Sequence, residues 1–499
     1  MDYDFDVIVI GSGASGGTLA ADLASSGARV LVLERGQPRP ANEPFDERAT
    51  LISKKPYDDR HIEMNQSPSR LYMGGTAGGG TSVYGAALLR STPEDFHPGQ
   101  FYHQRIPREI WDWPLTYDEL QPFYERAERL YSVASDAQSN CGPLPASTHD
   151  PGNPLLPLAR INQSLFEKTQ QQNRQPFRLP LGIRTSQCLS CSHCAGFVCP
   201  TGARRSADQL LAESQHSGGD LTVLHGREVR KFIRRGRSIS GLSVRNRDND
   251  ALERFTARRY VVAAGAIATP AILQRSGFEH EQLGRNYMMH YSPLVAGLFL
   301  RRTNAARTFV KQLGFTDFYF GTKDVPEKMG IVQSLPAPGP LMLQKTGLKY
   351  VPRPILNLLR QHMLPFVGIV EDLPSADNQV NIGQDGTIRV RHQFSDYDRQ
   401  RGDALTRAMT RLLKDAGATH CVAKNIPSAE HVAHQCGTVR FGDSAAHAVV
   451  DRDCRMFDQP DVFIVDGSIL PTSLGVGPSL TLMANALRVS GILARDLAC

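Results

Sequence analysis

The stretch from Phe5 to Glu34 constrains the fold more than any other part of this chain. Val7 to Ile10 is an unbroken apolar, β-branched run, the composition of a strand buried on both faces. Gly11, Gly13 and Gly16 follow at the G-x-G-x-x-G spacing of a turn in which backbone comes up against a pyrophosphate. The small residues after them begin a helix whose N-terminal amides and dipole favour an anion. A second apolar run ends at Glu34, about twenty residues past the glycines, where a carboxylate can accept hydrogen bonds from an adenosine ribose. Three glycines alone would mean only a turn. Strand, glycines, helix, strand and acid in register make a dinucleotide-binding unit. Glu34 would repel a ribose phosphate, so FAD or NAD is favoured over NADP.

The chain has 499 residues, too many for one small core, and several domains are expected. A net charge of +6 is small for this length. No basic block is interleaved with aromatics, so nucleic-acid binding is not expected. Nothing ahead of Phe5 reads as a signal peptide, and no apolar run is long enough to span a bilayer, which gives a cytoplasmic expectation. Of nine cysteines, Cys188, Cys191, Cys194 and Cys199 crowd together. Thiols in a reducing compartment point to thiol or metal chemistry before disulfides. Cys141, Cys421, Cys436, Cys454 and Cys499 are scattered and read as small buried hydrophobes.

Residues 37–70 are rich in Pro, Asp and Arg without periodicity, a connecting excursion over the surface. From Met73 to Arg90 the chain is crowded with glycine and ends in an apolar run, as backbone packed against something flat would be. Pro114 makes a turn, Thr116 an N-cap, and an amphipathic helix starts near Tyr117. Ala257 begins a strand that Gly265 breaks, and Pro270 suits the first turn of a helix closing at Gly277. Leu294 to Leu300 and Ile388 to Arg391 read as strands, the second with one wet face. Leu341 to Leu373 is apolar, carries Lys345, Lys349, Arg353 and Arg360, and is broken by prolines. It reads as a buried connection, with a lid or a helix lying on a membrane surface as alternatives; membrane contact is not expected.

The segments 73–90, 111–125, 257–277, 434–442 and 462–473, together with the opening unit, resemble the glucose–methanol–choline oxidoreductase family, in that family's order from Asp6 to the C-terminal end. The resemblance implies an α/β fold: a discontinuous Rossmann-like FAD-binding domain (1–100, 190–290 and 430–499) with an inserted α+β substrate domain built on an antiparallel sheet (101–189 and 291–429). It implies FAD, held by Gly11, Gly13, Ser15, Gly16, Glu34, Arg35, Gly79, Thr81, Tyr84, Val229, Asp466 and Gly467. His434, in His-x-x-Gly-Thr, falls on the catalytic-base position, and a histidine titrating near neutrality suits that role. His431 is offset by three residues and would point elsewhere. The family usually places a second His or Asn where this chain has Gly477, which offers no donor or acceptor; His290 and Tyr84 are candidate substitutes.

The cysteine run comes within one residue of the bacterial ferredoxin spacing and resembles a segment that binds an iron–sulfur cluster in some family members. A zinc site, a disulfide and plain packed thiols are the other readings, and no metal ligand is assigned. The resemblance implies oxidation of an alcohol or sugar hydroxyl by proton abstraction and hydride transfer. A dehydrogenase is expected, because the thiols suggest an electron exit other than oxygen. An oxygen-reducing oxidase of a sugar or aminosugar hydroxyl is the alternative, as is a flavin-binding module without turnover. The electron acceptor and the substrate are left open.

Overall fold

The computed structural model describes residues 3–136, 141–147, 152–236, 238–323, 325–425 and 434–498; His431 and Cys499 lie outside them. β1 (Phe5–Ile10), α1 (Ala14–Ala24) and β2 (Val30–Leu33) form as the apolar runs require. β1 lies inside a six-stranded sheet, ordered Arg455–Met456, Gln459–Ile464, Ala257–Val262, β1, β2, Leu221–Leu224. Its pairings are parallel except for the antiparallel hairpin at the Arg455 edge. Val7 to Ile10 and all of β2 are buried, as strands covered on both faces should be. α1 packs on the C-terminal helix Ser479–Ala498 and on Ala207–His216.

A second six-stranded sheet is antiparallel throughout: His420–Asn425, Pro293–Leu298, Met363–Gly368, Val332–Ser334, Leu313–Phe315, Pro176–Arg178. The helix Asp396–Asp415 lies against it and buries Leu405, Met409, Leu412 and Leu413. The α/β class with an antiparallel α+β portion is therefore as the sequence implied.

Several local expectations hold. Thr116 caps the helix Tyr117–Leu130: its Oγ1 accepts from Glu119 N at 3.3 Å, and Glu119 Oε2 accepts from Thr116 N at 2.9 Å. Ile388–Arg391 alternates buried and exposed residues. Two others change. The excursion 37–70 contains the helix Glu47–Leu51 and the strands Ile62–Met64 and Ser67–Ser69, and Ile62–Met64 pairs in parallel with Ile388–Arg391. Strands this short carry no readable period. The apolar stretch from Leu341 is not a single lid. After two short helices, Pro340–Lys345 and Arg353–Leu359, it becomes the strand Met363–Gly368 inside the second sheet, with Leu364 and Phe366 fully buried. Among the described residues, no helix is long and apolar enough to cross a membrane.

Candidate active site

A cavity of about 340 Å³ opens at the C-terminal ends of β1 and β2 and reaches His434 and Gly477. Eleven of the twelve expected cofactor residues line it: Gly11, Gly13, Ser15, Glu34, Arg35, Gly79, Thr81, Tyr84, Val229, Asp466 and Gly467. Gly16 lies just behind, where a Cβ would collide with Gly11 O. Gly11 has φ +101° and sits against the Ala263 carbonyl, so only glycine fits the turn. Gly13 is different. A Cβ there would meet nothing nearer than Gly79 Cα at 4.0 Å. The space beside it is cavity, not protein.

Side chains fix this cradle without filling it. The Glu34 carboxylate accepts from Ser12 N (2.9 Å), Ser12 Oγ (2.6 Å) and Gly36 N (2.6 Å), which leaves one acceptor position on Oε1 for a ligand in the cavity it lines. Ser12 Oγ in turn accepts from Gly78 N at 2.9 Å, tying the glycine-rich loop to β1. Thr81 Oγ1 accepts from Ala207 N at 2.9 Å. Asp466 accepts from Gly265 N (2.8 Å), Thr269 Oγ1 (2.5 Å) and Ser468 N (2.8 Å), so it joins two turns at the strand ends. Arg35 is paired with Asp59 at 2.5 Å and lies at the edge. Backbone laid bare at Gly13 and Gly79, an acid at the end of β2 and a helix N-terminus between them fit the pyrophosphate and ribose of FAD.

The histidine wall is assembled from distant segments. Met288 and Cys436 exchange both backbone hydrogen bonds at 2.9 Å in an antiparallel bridge, which sets His290 and His434 opposite one another. Their Nδ1 atoms are 2.9 Å apart, and His290 Nε2 is 2.8 Å from the Leu474 carbonyl oxygen. That carbonyl can only accept, so Nε2 of His290 carries the proton and its Nδ1 is bare. His434 Nδ1–H therefore donates to His290, and Nε2 of His434 keeps its lone pair. Burial pushes both imidazoles below their ordinary range, and for His434 the closeness of His290 and Lys311 further disfavours a second positive charge. A Cβ at Gly477 would stand 3.4 Å from Nε2, in ordinary contact, so the glycine keeps the space before the lone pair open.

His434 (φ +69°) and Leu474 (φ +68°) both hold left-handed backbone that non-glycine residues disfavour. The Leu474 turn is clamped from behind. Glu371 Oε1 accepts from Leu474 N at 3.2 Å, and Lys328 Nζ bridges Glu371 (2.7 Å) and Asp95 (2.5 Å) with all three side chains fully buried.

Neither candidate substitute for the missing second His or Asn offers a free polar group to the cavity. Tyr84 does line it, yet its hydroxyl is committed to the Arg205 carbonyl at 2.8 Å. His290 sits behind His434, not beside it. Two residues that the sequence did not single out line the same cavity: Gln333 on a strand of the second sheet and Lys311 in the turn before another. Neither stands in a motif, and only the sheet register brings them to the site.

The four clustered cysteines surround one small cavity of about 20 Å³. The cluster expectation is not borne out: among the described residues no group of three or more His, Cys, Asp or Glu side chains is placed to hold a metal ion. Burial raises the Cys188 thiol and pushes Cys194 up to about 12, so these stay S–H, the inert form. Cys199 Sγ accepts from Arg204 N at 3.5 Å. Arg204 also donates to the carbonyls of Cys194, Ser82 and Tyr84, which fastens the cysteine loop to the glycine-rich loop. Packed thiols are the reading that fits.

Residues 5–292 match the model of the N-terminal part of the GMC oxidoreductases and residues 374–486 that of the C-terminal part. The chain belongs to the GMC oxidoreductase family. It is an FAD-dependent oxidoreductase acting on CH–OH donors. Along its whole length the chain is 29% identical to 6'''-hydroxyparomomycin C oxidase of Streptomyces lividus, covering 92% of that protein. It is 28% identical to paromamine 6'-oxidase of Streptomyces fradiae, with 99% of this chain and 92% of that one aligned. Among solved structures, pyridoxine 4-oxidase from Mesorbium loti superposes with a TM-score of 0.68 at 18% identity, over 98% of this chain and 99% of that one. Formate oxidase of Aspergillus oryzae gives 0.69 at 14%, over 99% of each. These last two likenesses speak to the fold.

Proposed function

We propose that this GMC oxidoreductase oxidises a hydroxyl of a small polar alcohol to the carbonyl, with His434 as the base and oxygen as the electron acceptor. The observation that carries the reading is the chain of contacts from the Leu474 carbonyl through His290 to His434 Nδ1, which leaves Nε2 of His434 as the free nitrogen beside Gly477. The O–H proton passes to Nε2, the C–H electron pair leaves as hydride, and C=O forms. FAD supplies the hydride acceptor. His290 holds His434 in the base tautomer, and burial keeps it deprotonated. With Gly477 in place of a second donor or acceptor, His434 works as a single base.

Gly11, Gly13, Ser15, Gly16, Glu34 and Arg35 are assigned to the ADP part of the cofactor. Gly79, Thr81, Tyr84, Val229, Asp466 and Gly467 are assigned to the remainder. In the same reading 1–100, 190–290 and 430–499 bind FAD and 101–189 and 291–429 serve the substrate. Oxygen is preferred over another acceptor for two reasons. The dehydrogenase expectation rested on the four thiols as metal ligands, and their arrangement does not support that. The two relatives aligned over the whole chain are named as oxidases.

The test is an anaerobic screen of alcohols and sugars for bleaching of the flavin band, followed by admission of air. Substrate-dependent bleaching, then reoxidation with one hydrogen peroxide per turnover, is expected. A flavin that no alcohol reduces would refute the activity, and a reduced flavin that air leaves untouched would refute the acceptor.

A further inference from the structure

Among the described residues, two polar side chains in the cavity wall have no hydrogen-bond or ion-pair partner. The strand Val332–Ser334 carries Gln333, paired in register opposite Gly314, and Lys311 stands just before the strand Leu313–Phe315 that contains Gly314. Both line the cavity that holds His434. Gln333 is only 4% exposed, and no hydrogen bond holds its amide among the described residues. The Lys311 ammonium likewise has no hydrogen bond or ion pair there. Its Nζ lies against Gly85, where a Cβ would overlap it, beside the glycine-rich loop.

A buried amide and a half-buried ammonium left unpaired both carry a desolvation cost that a ligand can remove. Their shared chemistry is donation toward anionic oxygen. We propose that Lys311 and Gln333 form the anchor for a carboxylate carried by the alcohol substrate, so that this enzyme takes hydroxy acids and turns away cationic amino sugars. The proposal rests on the alcohol-oxidation reading of the cavity. A neutral polyol would accept from both groups yet leave the lysine charge uncompensated. An ammonium-bearing sugar would bring a like charge into a poorly solvated space. A carboxylate satisfies both donors and the charge together. Burial brings the Lys311 ammonium down to about 8, so it is still mostly charged near neutrality, and its field is one of the influences that keep His434 unprotonated.

The experiment uses the FAD-loaded enzyme and its Lys311→Met and Gln333→Leu variants. Dead-end binding of short aliphatic carboxylates is read as a perturbation of the flavin spectrum, and anaerobic flavin reduction is followed with matched hydroxy acids, neutral diols and amino alcohols. Hydrogen bonds to charged groups predict that Lys311→Met weakens carboxylate binding roughly ten- to a hundredfold. Gln333→Leu should weaken it severalfold. Near pH 7.5, where burial keeps His434 unprotonated with or without the Lys311 charge, neutral diols should change by less than about threefold and amino alcohols should improve. Equal losses for charged and neutral ligands, or no carboxylate binding by the parent at millimolar concentration, would overturn the anchor. So would an unchanged carboxylate affinity with a shifted flavin midpoint potential, which would assign Lys311 to the cofactor. Because dead-end binding needs no turnover, an inert flavin in the parent would defeat the alcohol-oxidation reading while this measurement still judged the anchor.

Discussion

The part of the cradle between β1 and α1 is built of backbone from one continuous stretch, whereas the wall that holds His434 is built of groups from segments near residues 95, 290, 328, 371 and 474. In the cradle, specificity lies in what is missing: Gly13 has no side chain, and cavity stands in its place. In the wall, each group depends on the next, from Asp95 and Lys328 through Glu371 and Leu474 to His290 and His434. A backbone site should fail by being filled, and a side-chain site by losing a link.

The largest effect should come from filling the cradle. Gly13→Val is expected to abolish FAD loading while the fold survives, since a Cβ there would meet nothing nearer than Gly79 Cα at 4.0 Å. Flavin absorbance of the purified variant together with its thermal unfolding checks both halves. Breaking the wall at its end should cost rate and not cofactor. His434→Ala is expected to slow anaerobic flavin reduction by about a hundred- to ten-thousandfold, or roughly 3–5 kcal/mol of barrier, with FAD still bound. Rapid-mixing absorbance measures it.

Breaking the wall at its root should instead cost stability. Lys328→Met leaves Asp95 and Glu371 buried without their cation, and loss of about 3–5 kcal/mol is expected in denaturant unfolding. The smallest effect tests the middle link. His290→Leu removes the acceptor that fixes the His434 tautomer, worth about one hydrogen bond, and should slow flavin reduction up to roughly tenfold. His290→Asn, whose side-chain oxygen can accept the same proton, should recover part of that loss. A uniform drop in both variants would mean that His290 matters only for packing.

The same contrast explains how much of the molecule could be read in the sequence. The cradle's first turn was legible because its parts are contiguous and their spacing is imposed by one turn; Gly11, Gly13 and Glu34 line one cavity, with Gly16 just behind. His434 was legible only through the segment around it, which resembles a family motif. The place of His290 was not, because it depends on the Met288–Cys436 bridge between segments far apart in the chain. Lys311 and Gln333 left no pattern, since only the antiparallel register carries them to the cavity. The cysteine spacing misled for the opposite reason. Proximity in sequence suggested a ligand set, whereas burial and Arg204 hold the loop as packing.

The pH dependence of anaerobic flavin reduction, compared in the parent and His434→Ala, tests the neutral-base assignment most directly. An ordinary imidazole takes its proton near pH 6.5. Burial and the neighbouring His290 and Lys311 disfavour the charged form of His434, so the base should stay competent as pH falls through that value. The parent should hold its rate down to pH 6.5 and lose it only at lower pH, and the variant should be slow and without that acid limb. An acid limb centred at or above pH 6.5 in the parent, or one that persists in His434→Ala, would contradict the assignment of His434 as the base.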